Sequence, residues 1–116
     1  MNKKDFIIKL YKFICEENLS LYKEMFEKTK LQEVKDEYGK SALEFYQKIS
    51  ENDKSVFFKI IKQTSIDTIS SVLALLDGVT SLEEQEDEFI LTFKKSNEKI
   101  NGNLQDIFLE YDEKNR

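Results

Sequence analysis

The sequence predicts an α+β fold: a mostly α-helical single domain, residues 1–116, organised around a long central helix, with a small β-hairpin and a short C-terminal helix after it. Three stretches carry that expectation. Val56 to Leu76 is apolar at helical spacing and then almost all round, as a buried central helix requires. Phe89 to Phe93 is an apolar, β-favouring run, followed by a turn and by Lys99-Ile100 before Asn101-Gly102, which reads as a two-stranded hairpin near 88–101. Leu104, Ile107, Phe108 and Tyr111 then recur at i, i+3, i+4 and i+7, one face of a last helix.

Taken in order, Phe6, Ile7, Leu10, Tyr11, Phe13, Ile14, Leu21, Tyr22, Met25 and Phe26 keep a helical period from Asp5 to about Thr29. One long amphipathic helix is expected, with a break near Asn18 as the alternative. Leu31, Val34 and Tyr38 give a short helical turn that Gly39 ends, and Ser41 with Glu44 forms a capping box for a helix over Ala42 to Ile49. The central helix spans about Ser50 to Asp77. Ser50 and Asp53 mark its start, and Gly78 marks its end in the left-handed conformation. Within it, Ile69, Val72, Leu73, Leu75 and Leu76 form the wide apolar arc. Asp67, Ser70, Ser71 and Ala74 are left as a narrow polar or small strip. Asn103 is the expected cap of the C-terminal helix.

The chain has 18 basic and 23 acidic residues, a formal net charge of −5, and no His, Trp or Pro. Residues 1–50 hold ten Lys against nine acids and residues 51–80 three against four, whereas 81–116 hold five bases against ten acids, so the negative charge lies in the last third. Arg116 is the single arginine, and with almost no planar guanidinium forks the composition argues against nucleic-acid binding. No apolar run approaches the ~20 residues of a membrane helix. The single Cys15 forms no intramolecular disulfide, so no membrane and a reducing, cytoplasmic setting are expected. Abundant Lys, Asn, Ile and Phe beside scarce Ala and Arg suit an AT-rich bacterial genome.

The run SSVLALLDGVTSLE, then EFILTF and NGNLQDIFLEYDE, is similar to small bacterial proteins of unassigned function that share an LLDG…G-x-LQD-x-FLE tail. The resemblance covers about the last 50 residues. It implies a tail packed as one structural unit and carries no reaction.

The candidate sites are carboxylates and one thiol. Glu83, Glu84, Glu86, Asp87 and Glu88 put five carboxylates in six positions, which reads as a docking surface for a basic protein partner. The alternative is a set of gatekeeper charges ahead of an aggregation-prone strand. Asp67, Asp77 and Asp106 form a metal-binding trio if the tail folds back on the central helix. Cys15 has Glu16 and Glu17 beside it and no histidine base, so it reads as an inert thiol. No glycine-rich phosphate loop, metal-ligand spacing or Ser-His-Asp set is present, and no catalytic, cofactor or metal residue is assigned. The expected function is therefore binding, non-enzymatic, of the kind an immunity or inhibitor protein performs on a basic bacterial partner. A homo-oligomeric interaction module, with a homodimer as its simplest form, and a carboxylate-dependent metal-binding hydrolase are the alternatives.

Overall fold

A computed structural model describes residues 1–116 and shows an all-helical chain. The first helix is continuous but changes pitch: α1 (Lys3–Tyr11) runs into a π-helical segment (Lys12–Glu17) and on into α2 (Asn18–Lys28). Asn2 caps its start, the side-chain oxygen accepting from the Asp5 N–H at 2.8 Å. There is no break at Asn18, whose backbone is helical and whose N–H reaches back to the Phe13 carbonyl, five residues earlier. The π turn has a packing consequence. Ile7, Tyr11 and Cys15, spaced by fours, all face the core, where an ideal α-helix of 3.6 residues per turn would bring Ile14 round instead.

A 3₁₀ turn (Leu31–Glu33) leads to α3 (Glu37–Lys48), which starts five residues earlier than the capping box at Ser41 and Glu44 predicts. Asp36 takes the cap, its carboxylate accepting from the Gly39 N–H at 2.7 Å. Gly39 thus lies inside the first turn and does not end a helix. It is glycine because a Cβ there would stand 2.7 Å from Asp36 Oδ1 and 2.8 Å from Val34 Cγ1.

α4 (Glu51–Leu76) is the long central helix, with the Ser50 hydroxyl accepting from the Asp53 N–H at 3.1 Å and Gly78 at φ +79° just past its end. α5 (Leu104–Lys114) closes the chain. Its expected cap, Asn103, makes no capping bond. The Asp77 carboxylate does so from the end of α4, accepting from the amides of Gly102, Leu104 and Gln105 at 2.6, 3.1 and 2.8 Å.

The expected hairpin near 88–101 is absent, so the fold is all-α and not α+β. Between α4 and α5 the chain is irregular, with one isolated antiparallel bridge, Thr92 to Lys99. Phe93 donates to the Glu98 carbonyl at 3.1 Å and Ile100 to the Leu91 carbonyl at 2.9 Å, and the ladder stops there. The groups that would extend it are occupied by one side chain. Asn101 Oδ1 accepts from the Leu91 N–H at 2.8 Å, and its Nδ2 donates to the Phe89 carbonyl and to the Leu76 carbonyl at the end of α4. The segment is thereby fixed to the helix, and it exposes Ile90 and Phe89.

Two apolar clusters share α4. At its C-terminal end Ile7, Tyr11, Cys15, Ile66, Leu73, Leu104 and Phe108 bring α1, the π segment, α4 and α5 together. Here the expected faces of α4 are partly reversed: Ser70 and Ala74 are buried, while Val72 is exposed. Small side chains let the neighbouring helices approach closely, and the Ser70 hydroxyl accepts from Gln105 Nε2 at 3.1 Å. At the N-terminal end Phe26 of α2, Phe45 and Tyr46 of α3, and Phe57 and Phe58 of α4 form an aromatic cluster with ring centroids 5.1–6.2 Å apart. The molecule measures 49 × 34 × 25 Å, and its radius of gyration of 17.9 Å exceeds the ~13 Å of a compact domain of this length.

Two substitutions test this arrangement by chemical denaturation. Asp77→Ala leaves three amides at the start of α5 without their acceptor and is expected to cost about 1–3 kcal/mol, whereas Asn103→Ala changes stability little. Leu73→Ala is expected to cost about 2–5 kcal/mol, with Val72→Ala near neutral. Equal losses within either pair would contradict the capping or the buried face.

Candidate apolar groove between α2, α3 and α4

The aromatic cluster is closed on one side and open on the other. On the closed side the Tyr46 hydroxyl donates to Glu27, Lys54 Nζ stands 4.8 Å from the Tyr46 ring centroid and Lys23 Nζ 5.6 Å from that of Phe58. On the open side Phe26 and Phe57 form the floor of a groove of about 650 Å³. Tyr22 and Met25 of α2, Tyr38 and Ala42 of α3, and Ile60 and Ile61 of α4 form its walls. Tyr22 is 49%, Met25 47%, Ile60 60% and Tyr38 82% exposed, so the groove presents apolar side chains to solvent rather than enclosing them.

Its polar groups are already engaged. Thr64 and Ser65 donate their hydroxyls to the Ile60 and Ile61 carbonyls at 2.8 and 3.0 Å, and Asp36, the single charged residue in the lining, caps α3. No acid–base pair faces the interior. The arrangement suits burial of an apolar surface, with two fixed aromatic rings as the floor.

The sequence-predicted residues lie elsewhere. Glu83, Glu84, Glu86, Asp87 and Glu88 are all exposed on the loop after α4 and form no ion pair within the chain. Gln85, in their midst, holds the loop by accepting from the Leu82 N–H at 2.9 Å and donating to the Asp87 carbonyl at 2.7 Å. The strand that gatekeeper charges would protect does not form. Asp67, Asp77 and Asp106 are not gathered: Asp67 pairs with Gln63 on the surface of α4, Asp77 caps α5, and no group of three Cys, Asp or Glu side chains is placed to hold a metal ion. The groove residues were missed because Leu21, Tyr22, Met25 and Phe26 read as one core stripe. The signal available was its width, since four apolar residues in six positions cover more than one helix neighbour can bury.

A buried polar centre lies at the other end of the molecule. Asp112, 1% exposed, accepts from the Tyr11 hydroxyl at 2.7 Å and from Arg116 Nε at 3.0 Å. Burial and this carboxylate push the Tyr11 hydroxyl far above its ordinary pKa of 10.0. Cys15 is fully buried, and burial, then the Asp112 charge, raise its thiol from 9.0 to about 11, with Lys62 opposing. It is the inert thiol the sequence suggests, though burial and not Glu16 is the main cause.

Both groups fold in the protonated form. A folded pKa above the unfolded value stabilises at pH below the unfolded pKa and is lost as pH rises through the folded one. Stability is therefore expected to fall from about pH 9 to about pH 11. Cys15→Ala is expected to flatten the lower part of that decline in denaturant titrations across the range. An unaltered profile in the variant would remove Cys15 from the explanation.

No helix is long and apolar enough to cross a membrane. No family model, curated protein or solved structure matches the chain, so the functional reading rests on its own geometry.

Proposed function

We propose that the protein is a non-enzymatic binding domain whose working surface is the groove between α2, α3 and α4. The supporting observation is the exposure of Tyr22, Met25, Tyr38 and Ile60 around a floor of Phe26 and Phe57. A contiguous apolar patch of this kind on a small chain marks an interaction surface. Two helices flanking a groove of this width accept the apolar face of a third, with anchors at i, i+3, i+4 and i+7.

A second surface supports a basic protein partner. The five carboxylates of Glu83 to Glu88 have no lysine or arginine partner within the chain, so their field acts outward and speeds encounter with positive charge. This is the feature that favours an immunity-type inhibitor acting on a basic bacterial protein in the cytoplasm. The loop follows the C-terminal end of α4 and the groove lies at its N-terminal half, so the two surfaces bind separately.

Selection of amphipathic helical peptides from a displayed library is expected to enrich binders of the native chain that lose affinity at least tenfold for Ile60→Glu and keep it for Glu84→Gln. Binding equal in all three would refute the groove. Binding lost in Glu84→Gln alone would transfer the function to the acidic loop.

A further inference from the structure

We infer that the groove is covered by a second copy of this chain, in a symmetric dimer that joins the N-terminal halves of the two α4 helices. The inference rests on the reading of the groove as the working surface and names its occupant.

The first argument is the uneven core. Of the twelve buried hydrophobic residues, only Leu43, Tyr46 and Phe58 lie between residues 19 and 65, and the other nine lie at the α1–α5 end. Yet this poorly buried half holds most of the aromatic cluster, including Phe26, Phe57 and the exposed Phe45. A half-domain rich in rings and short of burial is completed by a constant companion rather than by an occasional ligand. The radius of gyration of 17.9 Å, well above the ~13 Å of a compact chain, has the same cause.

The second argument is charge. Residues 19–65 carry nine lysines and eight carboxylates, net +1, whereas residues 81–116 carry five bases and ten acids, net −5. Juxtaposing two neutral halves meets no like-charge repulsion, and it keeps the two acidic loops at the far ends of the assembly. A strongly basic partner has no complement at the groove. A head-to-tail contact, with the acidic loop of one copy in the groove of the next, gains no net attraction from +1 and would not close.

The third argument is area. Leu21, one turn before Met25, extends the exposed set to Leu21, Tyr22, Met25, Tyr38 and Ile60. Side chains of these sizes at these exposures offer roughly 500 Å² per copy, so a symmetric pair buries roughly 1,000 Å² in total, the lower limit of a specific interface. The dimer is therefore reversible and concentration-dependent.

Light scattering and sedimentation velocity on the full chain, from low micromolar to near-millimolar concentration, test this. The mass is expected to rise from 13.8 kDa to a plateau at twice that value, with little change on adding salt. Ile60→Glu is expected to stay monomeric and Glu84→Gln to dimerise like wild type. Tyr38→Ser serves where Ile60→Glu lowers the helical circular dichroism signal, since Tyr38 is already 82% exposed, and it is expected to weaken dimerisation at least tenfold. A mass of 13.8 kDa throughout, growth beyond the dimer, or a dimer unaffected by both substitutions overturns the inference. If the chain stays monomeric but still binds selected helical peptides in an Ile60-dependent way, self-pairing falls and the groove reading stands. If it neither pairs nor binds peptides, both fall.

Discussion

The helix formed by Glu51 to Leu76 stops at Asp77, and the carboxylate there accepts three amides from the start of the last helix, 25 to 28 residues further along the chain. An N-terminus without such an acceptor leaves its first amides unsatisfied and its positive dipole end uncompensated. Here one residue supplies both the acceptor and the negative charge. With α5 anchored to the end of α4, Leu104 and Phe108 reach Ile7 and Tyr11, and the intervening loop needs no sheet to hold it. Asn101 acts beside it, taking backbone groups of Phe89, Leu91 and Leu76 in a single side chain. The C-terminal cluster is thus fastened by polar contacts at its edge and filled by apolar ones behind them.

What the sequence disclosed follows from which forces act locally. Helical periodicity, the Ser50 hydroxyl and Gly78 are local signals, and the central helix has the expected start and end. The C-terminal helix also forms where its apolar series places it, but its cap came from a residue distant in sequence, which spacing cannot reveal. Ser41 with Glu44 had the form of a capping box, and Asp36 prevailed because Gly39 leaves room for its carboxylate against the first turn. The hairpin failed for a related reason: β-favouring residues from Phe89 to Phe93 were present, but Asn101 took the hydrogen bonds a ladder would have used. Ser70 and Ala74 looked like an exposed strip because small residues mark either solvent or close packing, and only the neighbouring helix decides between them.

The candidate site was less legible than the fold. Charge is conspicuous in a sequence, so the carboxylates of Glu83 to Glu88 stood out. The groove is built from apolar residues that look like any core until their neighbours are found to be missing. Tyr22 and Phe26 lie one turn apart, yet the first is half exposed and the second packs against Phe57. The polarity of the molecule follows: a neutral, ring-rich end with unfilled apolar surface and an acidic end with a filled core.

The π-helical segment Lys12–Glu17 sets the angular register between those two ends. A helix that accommodates one residue more than an α-helical path needs rotates everything after it by about 100°. α1 is oriented by α5 and α2 by the aromatic cluster, so the residue count between Tyr11 and Asn18 decides whether Phe26 and Ile7 can both face α4. In related chains this interval would tolerate exchange of exposed side chains such as Lys12 and Glu16 far better than a change in length. A single-residue deletion there would restore regular α-helical pitch and turn the apolar edge of α2 away from the groove.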